Sequence, residues 1–317
     1  MAVRSRRKAV YALAAAIVTV AAAVAAATAN RGGPARALTD MLPADGPTAP
    51  ATTAPAHTTT APTAPAPQSA QLPLRGKEPP LRGKEPRLKA KELPLKAKEP
   101  PLRGKIVGID PGHNGGNFTD PAAIAWQVWN GMEWENCDTT GTETNGGYTE
   151  ALFNFRVAEY LRADLIRDGA RVVMTRTANS GIGPCVDRRA SIINGGHADV
   201  AVDIHADGAA SWGRGFAILE PVADGPDNNV VGSSARLGAD IRAAMLAGTP
   251  MPTSNYDGYN GIKYRDDLAG LNLTKVPKIL IEVGNMRNAS DAAMLTSAEF
   301  QQQVARALLA AIIKFLR

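Results

Sequence analysis

The chain has little of what most metal, redox and nucleophile sites are built from. Its 317 residues include two cysteines, Cys137 and Cys185, and four histidines, His57, His113, His197 and His205. The cysteines lack the C-x-x-C spacing of a thiolate metal site or a dithiol redox centre, which sets both classes aside. There is no H-E-x-x-H, no G-x-S-x-G elbow and no G-x-x-x-x-G-K-[ST] loop. A helix-borne zinc protease motif, a serine hydrolase of the elbow type and a P-loop nucleotide site are therefore excluded at the level of motif.

Positive charge is also missing where a basic pI of about 9.2 would lead one to look for it. Residues 1–105 carry 17 Lys and Arg against 6 Asp and Glu, a balance of +11. From totals of 35 and 30, residues 106–317 keep 18 against 24, a balance of −6. The basic character belongs to the N-terminal third, and nothing in it is specific to nucleic acid.

That third reads as three segments. Residues 1–29 begin with MAVRSRRKA, continue as an Ala/Val/Ile-rich run and offer Ala27 and Ala29 to a signal peptidase. The layout predicts a secretory signal, with an uncleaved N-terminal anchor as the alternative, and export in either case. Residues 30–73 are rich in Pro, Ala and Thr and hold too little apolar surface to offset the entropy of ordering, so a disordered linker is expected. Residues 74–102 repeat with period seven, as LRGKEPP, LRGKEPR, LKAKELP and LKAKEPP. Proline in every complete heptad argues against a coiled coil. The array is expected to act as a solvated spacer, or to touch an anionic wall or membrane surface weakly.

Residues 103–317 are long enough for one sizeable core. Short β-branched runs, KIVGID, RVVMTR, DVAVDIH, GFAILE and KILIEVG, alternate with amphipathic stretches at 149–169, 186–196, 231–248 and 297–317. The pattern predicts a single α/β domain, with a mainly parallel mixed sheet flanked by helices on both faces. In an exported chain the even pair Cys137 and Cys185 is a disulfide candidate.

Open α/β sheets place their sites beyond the carboxyl ends of the strands. His113 lies in the turn after IVGID, His205 closes VAVDI and Glu282 sits near the end of KILIE. Glu150 opens the long helix after the GTETNGGY loop and can project over the same edge. Two imidazoles with a carboxylate can hold a catalytic zinc, and a further carboxylate can move protons. Spacing alone leaves open which carboxylate does which. His197 reads as a turn residue, and His57 falls in the linker.

The ordered set IDPGHNGG, GGYTEALFN, VDRRASIIN, DIHADG, YRDDLAGLN and ILIEVGNMRN resembles the zinc-dependent N-acetylmuramoyl-L-alanine amidases of the amidase_3 family, especially the secreted mycobacterial type. The resemblance spans nearly all of residues 103–317. It implies a peptidoglycan hydrolase with one zinc ion on His113, Glu150 and His205, and Glu282 as the catalytic group. It implies peptidoglycan or a muropeptide as substrate and is compatible with a monomer. Two departures stand out: DPGHNGG replaces the commoner DPGHGG, and Asp203 stands where serine is usual. Asp203 is expected either to back His205 or to point away, and Asn285 and Arg287 to reach substrate carboxylates. The tryptophan-bearing loop at 114–148 is expected to wall the cleft, tied down by the cysteine pair, unless its tryptophans serve ordinary packing. A zinc carboxypeptidase-like peptidase and a non-catalytic wall-binding protein are the competing classes.

Overall fold

The computed structural model describes residues 99–223 and 228–317. The expected signal, the linker and most of the heptad array lie outside the described residues. Among the described residues, no helix is long and apolar enough to cross a membrane.

Eight strands form among the described residues: β1 (Ile106–Pro111), β2 (Gln127–Trp129), β3 (Trp134–Asn136), β4 (Arg171–Met174), β5 (Val200–Asp207), β6 (Ala217–Pro221), β7 (Ile262–Arg265) and β8 (Lys278–Asn285). Six build one sheet in the order β4-β1-β5-β8-β6-β7, and β2 pairs with β3 as a separate hairpin. The first four of the six are mutually parallel, while β6 runs antiparallel to β8 and parallel to β7. The mixed, mainly parallel sheet expected from the sequence is present. β7 and the hairpin were not foreseen.

The helices are α1 (Pro121–Ile124), α2 (Glu150–Arg167), α3 (Val186–Gly195), α4 (Asn228–Gly248), α5 (Ala269–Asn272), α6 (Ala289–Leu295) and α7 (Ala298–Phe315). Helix α2 starts where the Thr149 hydroxyl accepts from the Leu152 amide and stops before Gly169, whose φ of +93° suits a residue without Cβ. The main core lies between one sheet face and α2, α4 and α7. There Phe153, Leu161, Leu237, Ile241, Val304 and Leu308 pack against Val107, Ile109, Val202, Ile204, Ile279 and Ile281. Each such side chain stabilises the fold by roughly 1.5–3 kcal/mol on removal from water. The opposite face is covered more thinly by α3 and α5, through Ile193 on Ala201 and Leu271 on Leu219 and Leu280.

A truncated fifth copy, LRGK (102–105), follows the four complete heptads and joins the folded unit. Leu102 is buried, and its amide donates to the Asp168 carbonyl at the end of α2. The array thus repeats a segment whose final copy has a docking place.

Candidate metal centre

Period-two alternation on three parallel strands builds the site. On β5, Val200, Val202, Ile204 and Ala206 face the main core, so Ala201, Asp203, His205 and Asp207 face the other way. On β8, Ile279, Ile281 and Val283 take the core side and leave Lys278, Leu280 and Glu282 opposite. On β1, Val107 and Ile109 leave Asp110 opposite. Register sets Asp110 beside Asp203 and His205 beside Glu282.

His113 follows β1 with φ of 54°, a left-handed conformation that turns its ring back over the strand ends. A Cβ on Gly112 would overlap the His205 imidazole, so glycine there lets the two rings meet at 4.9 Å, nearly perpendicular. From the N-terminus of α2, Glu150 reaches the same point. Its Oε1 accepts from His205 Nδ1 at 2.8 Å, and its Oε2 accepts from the Thr142 amide at 3.0 Å and lies 3.4 Å from His113 Nε2. Gly141, at φ of +70°, leaves room for both, since a Cβ would press on His113 and Glu150. The donor atoms of His113, Glu150 and His205 lie within 4.8 Å of one another, so this trio could hold a metal ion.

Each imidazole is backed by a carboxylate that a buried cation holds in place. His113 Nδ1 is 2.9 Å from Asp138 Oδ1, while Asp138 Oδ2 accepts from Arg189 at 3.1 Å. His205 Nε2 is 3.3 Å from Asp203 Oδ1, while Asp203 Oδ2 is 3.0 Å from Lys278 Nζ. Both cations meet on Asp110, Arg189 at 3.1 Å and Lys278 at 2.8 Å. Thr175 donates to the same carboxylate at 2.6 Å.

The electrostatics follow from this arrangement. Burial alone would raise the Asp110 carboxyl, but Lys278 and Arg189 outweigh it and hold it well below the usual range. Burial likewise opposes the charged form of His113, yet Glu150 and Asp138 carry its pKa up to about 9. His205 is raised well above its ordinary value against burial, by Asp203 and Glu150. Glu150 is lowered well below its own against burial, by the two histidines. Glu282 behaves oppositely: burial, with the Glu150 and Asp207 charges, raises it to about 8 despite the histidines. Its buried Oε2 has no hydrogen-bond partner among the described residues.

Two hollows meet at the histidine pair. One, of about 370 Å³, has a charged floor of Asp110, Asp203 and Arg189 and an apolar wall of Leu268, Leu271 and Leu280. The other, of about 310 Å³, is more open and carries Glu150 and Glu282.

The structure therefore brings His113, Glu150, His205 and Glu282 together, and Asp203 lies against His205. Asn285 is fully buried: its Oδ1 accepts from Ala209 and Arg287, and its Nδ2 donates to Ala210 and Gly213, so it fixes the loop after β5. Arg287 is half-buried and reaches Asn145 at 3.4 Å. Cys137 and Cys185 form a disulfide that ties the end of the hairpin to the start of α3. The tryptophans do not serve as packing, because Trp126, Trp129 and Trp134 are 72, 46 and 65% exposed. Asp138 and Lys278 escaped the sequence reading. Lys278 left a signal, a cation two residues before Leu280 and four before Glu282 on a period-two strand. Asp138 left none beyond following Cys137.

A mixed α/β sheet that gathers two imidazoles and two carboxylates at its strand ends, one imidazole–carboxylate trio within reach of a single ion, defines an α/β domain with a candidate metal centre. The comparisons make the class specific: residues 107–314 match the N-acetylmuramoyl-L-alanine amidase family, amidase_3, and the chain belongs to it. It is 40% identical over 214 residues to the N-acetylmuramoyl-L-alanine amidase Rv3717 of Mycobacterium tuberculosis, covering 67% of this chain and 87% of that protein. The crystal structure of the amidase Ami1 from Mycobacterium smegmatis is similar with a TM-score of 0.64 and 39% identity, over 68% of this chain and 98% of that one. The apo form of Ami1 from Mycobacterium abscessus gives a TM-score of 0.64 and 39% identity, over 68% and 100%.

Proposed function

We propose that this chain is an exported, zinc-dependent hydrolase of the amide bond between N-acetylmuramic acid and the L-alanine of the stem peptide. The observation that carries the reading is the convergence of His113, Glu150 and His205 within 4.8 Å, beside a Glu282 carboxylate whose buried Oε2 has no hydrogen-bond partner among the described residues, in a chain of the amidase family.

The residues fit the ion. Two imidazoles and an ionised carboxylate are the donor types zinc takes in hydrolases. Each histidine presents one nitrogen to Glu150 and has the other beside a carboxylate, the arrangement that fixes tautomer and ring orientation in zinc sites. His113 would bind through Nε2 and His205 through Nδ1, and Asp203 would serve as the acceptor behind His205. A zinc ion held there supplies Lewis acidity toward the scissile carbonyl.

Glu282 does the proton work. Burial holds its pKa near neutrality, which suits a group that both takes and gives a proton. Its carboxylate accepts a proton from the attacking water and returns it to the departing alanine nitrogen. Asn285 and its bonded loop hold the strand end beneath Glu282, and Arg287 is placed to meet a carboxylate of the stem peptide.

Export is supported by the signal-like N-terminus and by the disulfide, which persists in oxidising compartments. The substrate is peptidoglycan or a muropeptide, the basic heptads add weak contact with the anionic wall, and the working unit is a monomer. The test is mass spectrometry of products from the zinc-loaded full chain with defined muropeptides, beside a chelated aliquot. Stem peptides with free L-alanine amino termini, lost on chelation, are expected. Shortened stem peptides would replace this reading with a peptidase, and no product despite bound zinc would refute it for these substrates.

A further inference from the structure

The β2–β3 hairpin presents two unlike faces. Val128 and Glu135 turn inward: Val128 is buried, and Glu135 lines the larger hollow and accepts from the Ala269 amide at 3.3 Å. On the outer face, register pairs Trp129 with Trp134 and Gln127 with Asn136, and all four are exposed. The two indoles meet edge to face at 5.8 Å, and Gln127 Nε2 donates to Asn136 Oδ1 at 2.6 Å. Apolar surface left exposed in this way adds nothing to folding and marks a face suited to contact with something else.

The hairpin is also held rigidly. Buried Asn130 accepts from the Met132 and Glu133 amides and donates to the Asp267 carbonyl, and the disulfide fixes the strand end at Cys137. A platform that is already ordered loses little entropy on binding.

We propose that this face is a sugar-binding subsite that stacks a pyranose ring of the substrate's glycan strand, a β-1,4-linked N-acetylhexosamine chain, beside the reacting centre. Three features point to that occupant. A pyranose has an apolar C–H face and a hydroxyl rim, and the hairpin offers indole planes flanked by two amide side chains, which donate and accept. The face is continuous with the site, because its Asn136 lines the same hollow as His113 and His205. In addition, and resting on the amidase reading, the scissile bond lies one lactyl group from a sugar ring, so the glycan must run along the rim. A second copy of the chain or an apolar peptide would use the indoles without needing the amides.

The test has a binding arm and a kinetic arm. In the first, a soluble β-1,4-linked N-acetylglucosamine oligomer is titrated into the full chain while tryptophan fluorescence and light scattering are followed. Saturable binding is expected, weakened about tenfold or more in the Trp129→Ala/Trp134→Ala variant. Trp212→Ala, which removes another exposed indole, should leave binding unchanged. Trp134→Tyr keeps an aromatic plane and should retain most of the affinity. In the second arm, KM for a multi-sugar muropeptide is expected to rise about tenfold in the double variant with kcat unchanged, while a single-sugar muramoyl-peptide is unaffected. Unaltered oligomer binding in the double variant overturns the proposal, and so does an equal rise in KM on both substrates. A change in oligomeric state without a change in saccharide affinity assigns the face to self-association instead. Because the binding arm needs no turnover, failure of the amidase reading would not be mistaken for failure of the subsite.

Discussion

Ile204 and His205 are neighbours on β5 and face opposite sides of one sheet. On the Ile204 side, the strand residues are Val and Ile, packed dry against α2, α4 and α7. On the His205 side, the same three strands carry Asp110, Asp203 and Lys278, buried almost as deeply but in charge-paired chains, and Glu282, half-buried near the end of β8. The first face stabilises by contact and tolerates imprecision, while the second is costly to bury and is held only if every charge keeps its partner. Glu282 is the exception on the second face: it forms no ion pair, and its buried Oε2 has no hydrogen-bond partner among the described residues. A fold can keep such a group at the working end because the opposite face supplies the stability.

The sharpest way to break this contrast is at Glu282. Glu282→Gln removes a proton carrier and no structural partner, so turnover should fall by about 10² to 10⁴. Zinc content and unfolding temperature should stay near those of the parent. Product mass spectrometry with metal analysis checks this. Full turnover would remove Glu282 from the chemistry.

The next effect tests the claim that the polar face depends on pairing. Lys278→Met keeps the bulk but leaves Asp110 and Asp203 one cation short, and should cost about 3–5 kcal/mol in urea unfolding. Adding Asp203→Ser should recover part of that loss, since it removes one stranded carboxylate. If the double variant is no better than the single one, pairing is not what Lys278 contributes.

The polar face also predicts how the ion-free chain responds to pH. His113 is raised from 6.5 to about 9, so its contribution is fully present below pH 6.5 and is lost as pH rises through 9. Glu282, raised from 4.5 to about 8, acts in the same direction, because the unfolded chain gives up that proton earlier. Asp110, Glu150 and Asp138 are lowered and are already ionised above the ordinary carboxylate range, so they do not oppose the trend in this window. The chelated chain should therefore unfold at lower temperature as pH rises from 6.5 to 9, and His113→Asn should flatten that slope. Apparent zinc affinity should rise over the same window, because binding displaces the protons.

The unlike burial of the two faces also explains how much of the fold and site was legible in the sequence. β1, β5, β8 and the four long helices could be read, because burial on one or both faces writes a strong apolar period. His113, His205 and Glu282 could be placed at one edge because strand ends are marked by the turns that follow. β7, with residues Ile262–Arg265 half-buried or exposed, and the β2–β3 hairpin, three residues per strand, have no such period. Asp138 and Lys278 reach their histidines across 25 residues in one case and through Asp203, from a neighbouring strand, in the other. Pairings of that kind are set by register and loop closure, which a local reading of spacing does not contain.

The smallest effect returns to the adjacent residue. Ile204→Val removes one methylene from the dry face, two positions from Val202 and one from His205. It should cost about 0.5–1.5 kcal/mol, the usual range for that change in a core. The loss should appear in urea unfolding, while kcat, KM and zinc affinity of the folded protein should match the parent within error. That dissociation is the point of the experiment, because the two side chains share a backbone but face opposite sides of the sheet. If Ile204→Val instead weakened zinc binding tenfold, the faces would be mechanically coupled through β5. Core packing behind the strand would then belong to the positioning of His205, along with Asp203 and Lys278.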